Sequence, residues 1–243
     1  MNIDAKDIHY RDLNARIRRA VADGDKSVVL DHVQGQRYIG TGLGPGVDIT
    51  INGVPGNDLA AFMNGAHVTV NGNAQDGVAN TMNAGRIVIH GDAGDILGHS
   101  MRGGKVFVRG SVGYRTGIHM KAYQARFPML VIGGTADDYL GEYMAGGVII
   151  VLGLDCGHAS PVGEYVGTGM HGGTICVRGK VEPYQLGREV GVDELQKSDW
   201  TFVAKVLDDF RATMNLDGQQ FRREDFIRLT PRSSRPYGML YAY

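Results

Sequence analysis

Glycine recurs in this sequence at an interval of 19 residues, and this spacing limits what the chain can fold into more than any other feature. A glycine closes each of seven apolar segments, and the first three intervals between these glycines are 19 residues each. The later intervals are 23, 20 and 26 residues. The closing glycines are Gly53, Gly72, Gly91, Gly110, Gly133, Gly153 and Gly179. A near-constant short period is typical of repeat architectures, in which each unit packs on the next.

The residues that precede each closing glycine predict a strand. The positions four and two residues before it are apolar in all seven units, as in Ile87 and Ile89 before Gly91. Alternation with a period of two indicates a strand with one buried face. A unit of this length is too short for a strand–helix–strand repeat, which needs about 30 residues. The sequence therefore predicts an all-β fold: a single-stranded, right-handed parallel β-helix with about seven three-sided coils.

Two other folds are weaker alternatives. A left-handed hexapeptide coil has three equal sides of six residues, whereas the glycine spacing within one unit here is six, seven and six, from Gly85 to Gly104. The preference for right-handed crossovers also favours a right-handed coil. A generic glycine-rich β protein would not keep the same apolar columns in every unit.

The segments outside the repeat predict end caps. Apolar residues at helical spacing predict a helix over residues 11–22 and a second over 199–211, the latter capped by Ser198. We therefore expect an N-terminal helix and strand cap over residues 1–34, the β-helix over 35–180, and a C-terminal helix and docking tail over 181–243. The tail contains the aromatic segment at 235–243.

Two insertions and one apolar patch are the candidate interfaces. About four extra residues follow Gly117, in a stretch that includes His119 and Tyr123, and about seven follow Gly153, near Cys156 and His158. Five outward strand positions are also apolar, and we expect either the C-terminal helix or a partner chain to cover them. These positions are Phe107, Leu130, Ile132, Ile150 and Leu152.

Composition excludes several functional classes. The 25 basic and 26 acidic residues leave a net charge of −1, which argues against a general nucleic-acid or anionic-membrane binder. The presence of only two cysteines argues against a disulfide framework. The N-terminus lacks the apolar segment of a signal peptide, and the apolar runs are too short to span a bilayer. We therefore expect a cytoplasmic protein.

No pattern of residues proposes an active site. Cys156 and His158, with His171 and Cys176 further on, lack the spacing of a zinc site. The glycines at 167–172 match a dinucleotide motif but precede a strand rather than a helix. Ser100, His99 and Asp95 lack the elbow of a nucleophile triad. The carboxylates of Asp76, Asp95 and Asp138 leave one enzymatic alternative, a coil-type sugar-cleaving enzyme. We expect no catalytic, cofactor-binding or metal-binding residue.

The repeat resembles a known family. The units at 82–94 (MNAGRIVIHGDAG) and 144–153 (MAGGVIIVLG) are similar to the GXGXG domain, the β-helix of the glutamate synthase large subunit. The resemblance covers residues 15–180. Related domains occur as one of the subunits of formylmethanofuran dehydrogenase and in N-methylglutamate synthase. The tail at 235–238 (RPYG) fits a stand-alone subunit of a split, archaeal-type glutamate synthase better than the other two.

The resemblance implies a scaffold subunit without chemistry of its own. In that family the β-helix supports the relative placement of the glutaminase and synthase domains. The implied partners are a glutaminase-like amidotransferase chain and a synthase chain that carries FMN and an iron–sulfur cluster. Glutamine would supply the amide nitrogen for glutamate biosynthesis, and no catalytic residue of the family can be assigned to this chain. A scaffold in a formylmethanofuran dehydrogenase or N-methylglutamate synthase complex is the alternative, and an independent β-helix enzyme is a third.

Overall fold

The computed structural model describes residues 1–157 and 159–233, which form a solenoid of β-strands with two α-helices. The helices are α1 (Tyr10–Ala22) and α2 (Lys197–Met214). The strands are β1 (Asn2–Asp4), β2 (Ser27–Gln34), β3 (Asp48–Val54), β4 (Asn64–Asn71), β5 (Ala84–Ile89), β6 (Gly104–Val108), β7 (Pro128–Ile132), β8 (Ala145–Val151), β9 (Gly172–Arg178), β10 (Val190–Glu194) and β11 (Phe226–Pro231). They form one sheet in the order β1-β2-β3-β4-β5-β6-β7-β8-β9-β11-β10.

Strands β3 to β9 stack in parallel, one strand for each coil. Ile49 lies opposite Val68, Val68 opposite Ile87, and Ile87 opposite Val106. These side chains are at most 1% exposed and belong to one apolar cluster inside the coils. The aliphatic columns seen in the sequence are therefore ladders along the solenoid axis, which buries them from water and stabilises the stack. The predicted parallel β-helix is confirmed.

The predicted register of the fifth unit is wrong by one residue. Val106 pairs with Leu130, 24 positions further on, so the first insertion holds five extra residues rather than four. Leu130 and Ile132, expected on the outside, lie in the interior cluster, while Met129 and Val131 face outward. The doublet at 133–134 caused the error, because the glycine equivalent to Gly110 is Gly134. A shift of one residue moves every side chain of a strand to the opposite face.

Each coil has two further sides. Single parallel bridges hold the second side and connect Ala74, Ala93, Val112, Ala136 and Val162 in turn. The third side consists of turns whose amides bond in both directions along the axis. Gly98 N–H donates to the Val78 carbonyl of the preceding coil, and Ile96 N–H to the Tyr114 carbonyl of the following one. The three-sided coil inferred from the glycine spacing is confirmed.

The N-terminal segment caps one end of the solenoid. Helix α1 begins at Tyr10, one residue before the predicted start, and ends at Ala22 as predicted. Its residues Leu13, Ile17 and Ala20 are buried in the interior cluster, where they cover the end of the aliphatic ladders. Strand β2 pairs in parallel with β3, so the stack begins before the first closing glycine.

The C-terminal segment adds two strands that the sequence did not predict. Strand β11 pairs antiparallel with β9, and β10 pairs antiparallel with β11. Helix α2 runs beyond both ends of the predicted 199–211, and Ser198 lies within its first turn instead of capping it. The aromatic tail at 235–243 lies outside the described residues. Neither α-helix of the described chain has the length and apolar character needed to cross a bilayer.

Candidate protein-interaction site

The apolar patch on the outside of the sheet is covered by the chain itself. Phe107, Ile150 and Leu152 are at most 1% exposed, and they pack in a second apolar cluster with residues of α2. The ring of Phe107 meets that of Phe210 edge to face, with centroids 5.4 Å apart. Of the two coverings left open by the sequence, the structure therefore shows the C-terminal helix, and these three residues are not free to contact a partner.

Ion pairs fix α2 in place over this patch. The Asp209 carboxylate lies 2.9 Å from Arg86 Nη2 and 3.1 Å from Lys105 Nζ, two residues on neighbouring coils. Burial alone would raise the pKa of Asp209, but the hydrogen bonds from Lys105 and Arg86 outweigh it and lower the pKa below its ordinary value. The ionised carboxylate thus ties the helix to the solenoid.

The corner carboxylates serve the backbone. Asp76 Oδ1 accepts the N–H of Asp95 at 3.0 Å, and Asp95 Oδ1 accepts the N–H of Tyr114 at 2.9 Å. Asp138 Oδ1 accepts the N–H of Glu164 at 2.7 Å. Each bond joins one coil to the next, as expected for acidic residues at turns. The geometry gives these carboxylates a structural role, in contrast to the sugar-cleaving alternative.

The corner bond also explains a column of glycines. A Cβ atom at Gly94 would lie 2.1 Å from Asp76 Oδ1, and one at Gly113 would lie 2.0 Å from Asp95 Oδ1. One coil further on, the residue equivalent to Asp76 and Asp95 is Tyr114, which has no carboxylate. The residue that stacks over Tyr114 is Asp137, at the position that is glycine in the two preceding coils. The chain therefore keeps glycine where an acceptor from the neighbouring coil fills the space.

The sulfur-containing candidates show no reactive environment. Burial, with a smaller contribution from Asp199, raises the pKa of the Cys176 thiol to about 12. The half-buried Cys156 thiol donates to the Gly153 carbonyl, 3.1 Å away. His158 lies outside the described residues. Within residues 1–157 and 159–233, no three His, Cys, Asp or Glu side chains are grouped as metal ligands. Of the glycines at 167–172, Gly167 and Gly169 lie in the last turn before β9, and Gly172 is the first residue of that strand.

The two insertions remain on the surface. The first forms a tight loop closed by a bridge between Tyr123 and Arg126, and Tyr123 is 48% exposed. His119 is also exposed, and its ring stacks on that of Tyr143 with centroids 5.3 Å apart. The second insertion forms one wall of a groove of about 670 Å³ that also contains Arg178 and Lys180. The described residues of both insertions therefore lie in surface loops, and their role as interfaces stays a prediction.

The turn side of the solenoid carries a further row of exposed apolar residues. In each coil, one turn residue points into the solenoid, and the residues two before it and two after it occupy outer positions. Both outer residues have a left-handed backbone conformation. Side chains at or beside these outer positions form what we call the exposed strip. Its members are Tyr38, Phe62, Ile96, Tyr114, Tyr139, Tyr143 and Tyr165, of which five are between 36% and 55% exposed.

The exposed strip is not required by the fold. A left-handed backbone costs non-glycine residues about 1–2 kcal/mol, and a β-branched residue such as Ile96, at φ 51°, is a clear outlier. Gly77 and Gly169 occupy equivalent outer positions in other coils, so glycine fits there. Bulky side chains thus stand where glycine would be less strained, which points to a function outside the folded monomer.

Contacts between coils hold these side chains in order. The rings of Tyr139 and Tyr165 stack with centroids 4.8 Å apart and an interplanar angle of 13°. The Arg115 guanidinium lies 4.9 Å from the centre of the Tyr139 ring, and its Nε lies 2.9 Å from a carboxylate oxygen of Glu142. Ordered side chains lose less conformational entropy when a partner binds.

Sequence reasoning missed the exposed strip, although a signal was present. The inward glycine column comprises Gly98, Gly117, Gly141 and Gly167, and the residues two before it are Ile96, Arg115, Tyr139 and Tyr165. A large side chain that recurs two residues from an obligatory glycine is unusual for a turn.

Comparison with known proteins agrees with the repeat. The GXGXG motif family matches residues 6–221. An uncharacterized protein of Methanocaldococcus jannaschii is 46% identical over 250 residues, which cover 98% of this chain and 95% of that protein.

The fold also matches a solved structure. A chain in the crystal structure of the formyltransferase/hydrolase complex from Methylorubrum extorquens, determined with methylofuran, has a TM-score of 0.63. It is 21% identical, and the match covers 89% of this chain and 87% of that one. This similarity shows a shared fold. Because the family matches most of the chain and accounts for its glycine columns, this protein belongs to the GXGXG motif family.

Proposed function

We propose that this chain is a scaffold subunit that positions other chains of a multi-subunit enzyme and carries no active site of its own. The observation that carries the proposal is the exposed strip, where apolar side chains occupy strained positions and face solvent. The groups best suited to chemistry have other roles, because the corner carboxylates bind backbone amides and Cys176 is buried.

We further propose that the complex is a glutamate synthase-like flavoprotein oxidoreductase in the cytoplasm. The resemblance of the repeat and of the tail at 235–238 supports this assignment. The partners would be a glutaminase-like amidotransferase chain and a synthase chain that holds FMN and an iron–sulfur cluster. Glutamine would then supply its amide nitrogen to 2-oxoglutarate, and this chain would keep the two partner chains in their relative positions.

A second candidate is a complex that handles formyl groups. The similarity in fold to a chain of a formyltransferase/hydrolase complex favours it. Here the chain would serve as the scaffold of a formylmethanofuran dehydrogenase-like assembly with molybdopterin-containing partners. An N-methylglutamate synthase complex is a further member of the same scaffold class.

Native purification tests the proposal. The chain, tagged at its natural expression level, is isolated from its source cells, and the proteins that elute with it in fixed ratio are identified by mass spectrometry. A flavin spectrum, protein-bound iron and glutamine-dependent glutamate formation would support the glutamate synthase assignment. Bound molybdenum or tungsten would support the second candidate instead. Elution as a lone monomer, without any chain in fixed ratio, would contradict the scaffold role.

A further inference from the structure

We infer that the exposed strip is the docking site for a different protein chain, one that presents apolar side chains with arginine or lysine residues along one margin. This inference rests on the proposed scaffold function and specifies which side of the solenoid performs it and what chemistry the partner has. The side of the solenoid covered by α2 is already occupied, whereas the turn side exposes a row of apolar side chains along successive coils.

The apolar part of the partner follows from the exposed strip itself. Ile96, Tyr114, Tyr139 and Tyr165 lie on four successive coils about 4.8 Å apart, and Ile96 is 36%, Tyr114 49% and Tyr165 46% exposed. Phe62, which is 55% exposed, lies two coils before Ile96. Tyrosine is enriched at protein interfaces because its ring buries a large area at low entropic cost and its hydroxyl stays wet. A row of such residues along the solenoid suits a long protein surface better than a small ligand.

The charge of the partner follows from the acidic margin of the exposed strip. In three coils the residue immediately before the strip residue is acidic: Asp95 before Ile96, Asp138 before Tyr139, and Glu164 before Tyr165. Two more carboxylates, Asp76 and Asp137, stand in the same margin. Within residues 1–157 and 159–233, none of these five carboxylates lies within 4.0 Å of a basic side chain.

The carboxylates of this acidic margin repel one another. Burial raises the pKa of Asp137, and the negative charges of Asp138 and Asp95 raise it further. A cation placed beside this row would relieve the repulsion. Electrostatic complementarity of this kind speeds association and fixes the register of a complex.

Variants at left-handed positions remove the side chains without harming the fold. In the double variant Ile96→Gly/Tyr165→Gly, glycine relieves the strained backbone, as Gly77 does naturally in the equivalent position. We expect a melting temperature at or above that of the wild type, and affinity for the partner chain of the native complex at least tenfold weaker. Ala79→Gly is the matched control, because Ala79 is left-handed but fully buried. It should bind like the wild type.

A second pair of substitutions tests the charge. In Asp95→Asn/Asp138→Asn the amide oxygen can still accept the backbone N–H of the next coil, so the corner survives while the charge is lost. We expect weaker binding at low salt, and a smaller loss of affinity than the wild type shows when salt is raised from about 50 mM to 500 mM.

The outcomes separate this inference from the proposed function. If the wild-type chain elutes alone, the scaffold function fails. If the partner chain binds the Ile96→Gly/Tyr165→Gly variant as tightly as the wild type, the scaffold function stands and this docking site is wrong. Self-association of the purified chain that the same double variant abolishes would also overturn the inference, because the occupant would then be a second copy.

Discussion

At the scale of single residues, the left-handed positions of the turn side divide by direction. The inward ones must be small: a Cβ atom at Gly117 would lie 2.5 Å from Ile149 Cδ1, and one at Gly141 would lie 2.6 Å from Ile175 Cδ1. The outer ones have no such limit, and they hold glycine in some coils and large side chains in others. Packing therefore limits the size of the inward residue, whereas the side chain at the outer position is free to serve a function.

Substitution of an inward glycine should cost much more than substitution of an outer one. Gly117→Ala adds a clash in the core to the strain of a left-handed alanine, so we expect a loss of about 2 kcal/mol or more in unfolding free energy. Gly42→Ala has the same strain, at φ 71°, with no atom within 4 Å of its Cβ, and should cost about 1 kcal/mol. Urea denaturation measures both, and equal losses would contradict the packing argument.

At the scale of elements, the strands of the repeat could be predicted from the sequence, whereas the two C-terminal strands could not. The apolar columns fix strands β3 to β6 because 19-residue spacing leaves a single register. At 133–134 two adjacent glycines fit the column of closing glycines equally well. Only the burial of the preceding strand residues shows which of the two is equivalent to Gly110. Strands β10 and β11 have no repeat to align with, and the outward apolar residues look the same whether helix or partner covers them. The sequence signal of the exposed strip was a large side chain two residues before an inward glycine, but the left-handed backbone that gives this signal its meaning is visible only in the structure.

The cover that α2 provides should depend on pH. Folding lowers the pKa of Asp209 from its ordinary 3.8, so its contribution is complete above that pH and is lost as pH falls through the folded-state pKa. We expect Asp209→Asn to cost about 1 kcal/mol near pH 7, and the difference from the wild type to vanish in stronger acid. Asp208→Asn, at an exposed neighbour, is the control. A difference that persists unchanged at low pH would contradict the ion-pair role.

The packing of α2 can be tested at its centre. Phe210 is fully buried against Phe107, so Phe210→Ala should cost about 3–5 kcal/mol and expose apolar surface that binds a hydrophobic dye. Phe202 on the same helix is 41% exposed, and Phe202→Ala should cost about 1 kcal/mol or less. Thermal unfolding and dye binding provide the comparison, and similar losses from the two variants would show that α2 is not a specific cover.

At the scale of the whole molecule, the solenoid is closed at its ends and on one side by its own chain. Helix α1 covers the first coil, β11 pairs with the last strand, and α2 covers the outer sheet. Residues 1–157 and 159–233 leave the other two sides uncovered, and the exposed strip lies on the turn side. A repeat protein presents a long surface built from equivalent turns of successive coils, and here apolar residues at or beside the outer turn positions of several coils lie beside an acidic margin.

Footprinting of the native complex can show whether a partner chain covers the exposed strip. Hydroxyl radicals oxidise accessible tyrosines, and mass spectrometry reports the extent at each residue for the isolated chain and for the complex. We predict that Tyr139 and Tyr165 react in the isolated chain and become protected in the complex. Equal reactivity of both tyrosines in the two samples would contradict the account, because the partner would then dock elsewhere.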